Sequence, residues 1–111
     1  MVYTLFFSRF RDMSDAQREK YGRHAQAVRD LAATEHPGFV SQKTYLSDDG
    51  ERLTVVAFRD AESQRAWKAD PVHRAAQAKG RSDYYDYYRI VVCEEERSYE
   101  WLKSGADQGA A

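Results

Sequence analysis

The sequence predicts an α+β domain, a four-stranded antiparallel sheet with its helices on one face. Three observations lead there. Runs rich in Val, Ile, Phe, Tyr and Thr occur at residues 2–10, 39–46, 52–58 and from Tyr84 onward. Helical periodicity falls between the first and second of these runs and again between the third and fourth. All of it fits into 111 residues, the size of one domain that buries about two-thirds of its unfolded surface.

In chain order, residues 2–10 are too short for a typical helix and form strand one, which ends at Arg11-Asp12. Ser14 with Gln17 three residues on is a capping box, after which Tyr21, His24 or Ala25, Val28, Leu31 and Ala32 recur at helical spacing to about Thr34. His36-Pro37-Gly38 breaks this helix, because a residue before proline avoids helical angles and glycine accepts a turn. Strands two and three, 39–46 and 52–58, join through Ser47-Asp48-Asp49-Gly50-Glu51, where Asp-Gly in a short loop signals a hairpin. Asp60 caps a second helix over 61–68, and Asp70-Pro71 caps and starts further turns to Lys79, with a kink or break at the proline and Gly80 as the stop. Strand four runs from Tyr84 to about Arg97. The ordered domain is expected over 1–103, with a disordered small and polar tail over 104–111.

The order β-α-β-β-α-β folds most simply as the ferredoxin-like split βαβ arrangement. Its sheet has a peculiarity. By simple alternation Tyr85, Tyr87, Val91 and Cys93 share one side of strand four and Tyr84, Tyr88, Ile90 and Val92 the other, while strand three sets Leu53, Val55 and Ala57 against Thr54, Val56 and Phe58. Both faces are apolar, yet the helices can cover one only. A second copy packed sheet to sheet is the economical cover, so a homodimer is expected.

Charge and composition narrow the function. With 17 basic against 18 acidic side chains, the chain gives no electrostatic reason to expect nucleic acid. A single cysteine, Cys93, excludes an intrachain disulfide and cannot build a zinc site alone; it reads as a small buried hydrophobe in a reduced, cytoplasmic protein. The apolar run of strand one is cut short by Arg9, Arg11 and Asp12, so no membrane partner is expected. Zinc spacings, phosphate-cradling glycine loops, nucleophile elbows and paired-carboxylate motifs are missing from the sequence.

Attention falls on Ala66 to Gln77, which places a large aromatic, an imidazole and a proline restart close together, followed by tyrosines 84, 85, 87 and 88. Trp67 on an amphipathic helix is either core or the wall of a pocket. His73 lies in the first turn after Pro71, where the helix dipole disfavours its charged form, so a neutral imidazole can accept a phenolic proton; a surface cap contact is the alternative. His24, on the apolar stripe of helix one, is expected to be packed and hydrogen-bonded, and His36 is a turn residue. The strand-four tyrosines either line a cavity or fill a dimer interface. Glu94-Glu95-Glu96 marks a solvated strand end.

The pattern of Pro37-Gly38-Phe39, Thr54-Val55-Val56-Ala57-Phe58, Ala66-Trp67, Pro71-Val72-His73, Ala76-Gln77, Gly80-Arg81 and Tyr84-Tyr85 with Tyr88, Ile90 and Val92 resembles the antibiotic biosynthesis monooxygenase family over about residues 2 to 97. The resemblance implies a dimeric α+β barrel and, from the characterised polyketide-modifying members, oxygenation of electron-rich phenolic or anthrone-type rings without metal, flavin or heme. Trp67 matches the helix-two tryptophan of both the quinone-forming and the heme-degrading members. Where the quinone-forming members have an asparagine four residues earlier and a tyrosine six later, this chain has Ser63 and His73; the heme-ligand place of the heme-degrading members is Gln77, and their strand-one asparagine falls on Ser8.

A cofactor-free oxygenase needs only to hold the ring, remove a proton and exclude water. In that reading Trp67, Tyr85 and Tyr87 hold a small aromatic substrate, His73 is the base, and Ser8 or Arg89 steadies the oxyanion, with no cofactor and no metal. The alternatives are a heme-binding or heme-degrading protein, in which His73 would be the ligand, and a non-catalytic dimer that binds a small molecule.

Overall fold

The computed structural model describes residues 1–103, so the tail expected over 104–111 lies outside the described residues. The elements are β1 (Val2–Phe10), α1 (Asp15–Glu35), β2 (Phe39–Leu46), β3 (Arg52–Phe58), α2 (Ala61–Ala69), α3 (Pro71–Lys79), a π-helical turn (Gly80–Tyr84) and β4 (Tyr85–Glu94). The sheet order is β2-β3-β1-β4, with every neighbouring pair antiparallel. This is the split βαβ arrangement the sequence predicts.

Local chemistry sets the element ends. Ser14 and Gln17 form the full capping box of α1, each side chain bonding the other's backbone N–H. The hairpin turns at Gly50, which takes φ +89°, a conformation glycine adopts without a Cβ penalty. The helix break at Pro71 is complete, and Asp70 caps the restart by accepting from the backbone of Val72 and His73.

Two expectations require correction. α3 ends at Lys79 with Gly80 as its cap, as expected, but Gly80 keeps right-handed angles (φ −57°, ψ −46°) and the chain winds on through the π-helical turn to Tyr84. Glycine is needed there for space, since a Cβ would sit 2.8 Å from the Tyr85 ring. Strand four accordingly begins at Tyr85. Simple alternation also fails along it, because the register against β1 shifts between Arg9 and Phe10, pairing Phe10 with Tyr85 but Arg9 with Tyr87. Asp86 is the extra residue of a bulge, so Tyr85 shares the face of Tyr88, and Tyr87 takes the other.

On the helix side, Val56 and Phe58 of β3 pack with Ala32 of α1 and Trp67 of α2, flanked by Val28, Leu31 and Phe39. Phe58 is fully buried. The opposite face presents Tyr3, Leu5, Phe7, Leu53, Val55 and Val91, all only partly buried, and no helix of the described residues covers it. Cys93, expected to be buried, is exposed on this open face opposite Tyr3.

Candidate functional site

The break between α2 and α3 is the chemical centre of the helix layer. Restarting the helix at Pro71 folds His73 back over the end of α2, where its ring stacks on Trp67 with centroids 4.2 Å apart and planes 22° off parallel. His73 Nδ1 lies 3.1 Å from the Trp67 carbonyl oxygen. A carbonyl can only accept, so Nδ1 carries the proton and Nε2 presents a lone pair. Burial holds the His73 pKa below its ordinary value, outweighing the Trp67 carbonyl and the Asp70 charge. The imidazole is therefore neutral at pH 7.

Behind this pair stands a second imidazole. His36, at the end of α1, meets Trp67 edge-on at 5.0 Å, and its Nε2 lies 2.8 Å from Asp70 Oδ2. The His36 hydrogen bond is the main reason the Asp70 carboxyl titrates below its usual range, with the α3 backbone N–H groups adding to it. Asp70 thus ties the α1–β2 turn to the α2–α3 break while holding the backbone of His73. Trp67, with 7% of its surface exposed, is enclosed between the two imidazoles.

A second cluster is built where the π-helical turn delivers the chain to β4. Tyr85 stacks on Phe10, meets Phe6 edge-on, and exchanges a 2.9 Å hydrogen bond with Tyr21 of α1. Burial, with the neighbouring Tyr21, pushes the Tyr85 phenol well above its ordinary pKa, so it stays neutral and cannot act as a base. Tyr84 is buried and bonds His24 Nδ1 at 2.9 Å, so His24 is hydrogen-bonded as expected, although its own position is exposed. Arg81 donates to the Tyr88 hydroxyl at 2.8 Å. Arg81, Tyr85, Asp86, Tyr87 and Tyr88 line an open concavity of about 360 Å3.

Of the residues singled out in the sequence, the fold brings Trp67 and His73 into contact and puts Ser8 and Tyr85 on the helix side of the sheet. Ser8 is buried and pairs in register with Tyr88. Tyr87 and Arg89 lie on the open side, where the Arg89 guanidinium covers the Phe7 ring at 4.6 Å. Ser63 is occupied by the cap of α2, donating to Asp60 at 2.7 Å, and its side chain fills the space where a Cβ on Gly38 would be. Sequence reasoning missed the partnership of His36 and Asp70, and it missed Thr4, whose hydroxyl is buried on the helix side without a partner among the described residues. One signal was available for the pair: the chain has two prolines, and His36 and Asp70 are the residues before them, both held extended.

Among the described residues no group of three or more His, Cys, Asp or Glu is placed to hold a metal ion, and no helix is long and apolar enough to cross a membrane.

The fold is that of the antibiotic biosynthesis monooxygenases. It superposes on a variant of SnoaB, a cofactor-independent oxygenase from Streptomyces nogalater, with a TM-score of 0.71 at 12% identity, covering 87% of this chain and 94% of that one. Rv0793 from Mycobacterium tuberculosis matches with a TM-score of 0.71 at 15% identity, covering 89% of this chain and 98% of that one. In sequence, 95 residues are 30% identical to the uncharacterised protein YqjZ of Bacillus subtilis, spanning 86% of this chain and 80% of YqjZ. The chain belongs to the family of YqjZ. No family model matches the sequence.

Proposed function

We propose that the protein is a monooxygenase that works without metal or organic cofactor on an electron-rich phenolic, quinol or anthrone-type ring. The observation that carries this reading is His73, whose proton is pinned on Nδ1 by the Trp67 carbonyl while burial keeps the ring neutral, so that Nε2 is a ready base. For an anthrone, Nε2 takes a proton from the ring CH2, and the carbanion forms a C–O bond with O2. The imidazolium returns its proton to the peroxide, which loses water to leave a carbonyl. The balance is CH2 plus O2 giving C=O plus H2O, with both electron pairs coming from the substrate.

The other residues have supporting parts in this reading. Trp67 fixes the plane of the base, Tyr85 holds the substrate ring, and Ser8 steadies the oxyanion from the helix side of the sheet. A homodimer belongs to the same proposal, because the uncovered face carrying Tyr3, Leu5, Phe7, Leu53, Val55 and Val91 is a contiguous apolar surface. Tyr87 and Arg89 then serve that interface. The test is oxygen consumption with 1,8-dihydroxy-9-anthrone: one O2 taken up per anthrone, with the anthraquinone as product and a strong dependence on His73. A rate no faster than the spontaneous oxidation would overturn it.

A further inference from the structure

We infer that a cleft at the hairpin end of the sheet binds the anionic group, carboxylate or phosphate, of a small molecule. The cleft has a volume of about 470 Å3 and is lined by Arg9, Arg11, Arg18 and Arg52 together with Phe10, Leu46, Gly50 and two carboxylates, Asp12 and Asp86. That volume lies within the range of small-molecule sites, about 300–1,000 Å3. The inference stands on the cleft alone and holds whether or not the protein oxygenates a ring.

Two of the four arginines, Arg11 and Arg52, are held in place without being neutralised. Arg9 has a carboxylate partner, Asp49, at 2.8 Å. Arg11 donates instead to the backbone carbonyls of Ser82, Arg81 and Tyr85, which fix the guanidinium and leave its charge uncompensated. Its Nε is buried and has no acceptor among the described residues. The Arg52 guanidinium rests on the Phe10 ring at 4.6 Å, a contact that likewise orients the group and keeps its charge. Among the described residues no ion pair within 4.0 Å joins Arg11, Arg18 or Arg52 to a carboxylate, and Asp12 and Asp86 pair with none of them.

Guanidinium groups that line one cleft repel one another, a cost that an entering anion relieves. Planar, pre-oriented forks are also the donors that suit a carboxylate or phosphate oxygen pair. The whole chain has a formal charge of −1, so this concentration of positive groups is a local feature. Asp86 borders both this cleft and the concavity of Tyr85, Tyr87 and Tyr88, which makes an aromatic acid a suitable probe.

The experiment is an amide NMR titration of the full chain with inorganic phosphate, with 4-hydroxybenzoate and with the uncharged 4-hydroxybenzamide. The expected result is saturable shifts at Phe10, Arg18, Gly50, Arg52 and Asp86 with at least one of the two anions. These shifts should weaken about tenfold or more in Arg18→Gln combined with Arg52→Gln, and weaken with added sodium chloride. Arg74→Gln, on α3, should bind as the normal protein does. Tighter binding of the benzoate assigns the cleft to carboxylates, and tighter binding of phosphate assigns it to phosphate groups. Benzamide binding as well as benzoate, an unchanged affinity in a folded double variant, or no saturation with either anion would each overturn the inference.

Discussion

With His73 as the proposed base, its replacement should separate catalysis from stability. A general base contributes about a hundredfold to ten-thousandfold in rate, or about 2.7–5.5 kcal/mol of barrier. In the folded chain the imidazole gives one stacked contact with Trp67, one hydrogen bond to a carbonyl and partial burial. A stack is worth about 0.5–1.5 kcal/mol and a neutral hydrogen bond about 1 kcal/mol. His73→Ala should therefore lower kcat/KM by at least about a hundredfold with the anthrone, while the unfolding free energy from urea titration falls by only about 1.5–2.5 kcal/mol. The pH profile adds a second signature. Because the folded pKa lies below the ordinary 6.5, the proposed base is neutral above that pH, and kcat/KM should be level there and fall only as pH drops through the lower folded value. The same depression makes the unfolded chain bind the proton first, so His73 also weakens stability as pH falls from 6.5 toward the folded pKa. His73→Ala should lose both dependences. A variant that keeps its rate within about threefold, or a normal protein whose activity already falls above pH 6.5, would refute the assignment.

Three further outcomes follow from the packing. Val55→Asp, on the uncovered sheet face, should turn a dimer into a monomer or unfold it, as read by light scattering at micromolar concentration; an unchanged dimer would remove that face from the interface. Gly38→Ala drives a Cβ into the Ser63 side chain that caps against Asp60, so it should lower stability by about 1–3 kcal/mol, and adding Ser63→Gly should restore most of the loss in a double-mutant cycle. Asp70→Asn should destabilise at neutral pH, with the gap to the normal protein closing on acidification. The normal carboxylate contributes above its unfolded value of 3.8, and that contribution is lost as pH falls through its lower folded pKa.

Much of the fold was legible because its signals are local. The capping box at Ser14, the Asp-Gly hairpin and the Asp70-Pro71 restart each act within a few residues, and each fixes its element where the sequence places it. The bulge at Asp86 was not legible, since nothing around it departs from an alternating strand. Its cause is tertiary: the π-helical turn brings the Tyr85 ring against Gly80, and Tyr85 must also reach Tyr21. The right-handed conformation of Gly80 at the end of α3 was not legible for the same reason. Glycine at a helix end suggests a left-handed stop, whereas here it answers an aromatic ring arriving from the next strand.

The site is partly legible for a related reason. Trp67 and His73 stand six residues apart, and the break between their helices turns that separation into a stack. His36 and Asp70 are 34 residues apart, and only the fold brings them to 2.8 Å. Their joint effect is on His73: Asp70 holds its backbone N–H, His36 holds Asp70, and both imidazoles enclose the same indole. The orientation of the proposed base thus depends on a carboxylate that never needs to touch a substrate. In the proposed function Asp70 is accordingly a positioning residue, and its loss should change the pH profile of activity as well as stability, which a purely structural ion pair would leave alone.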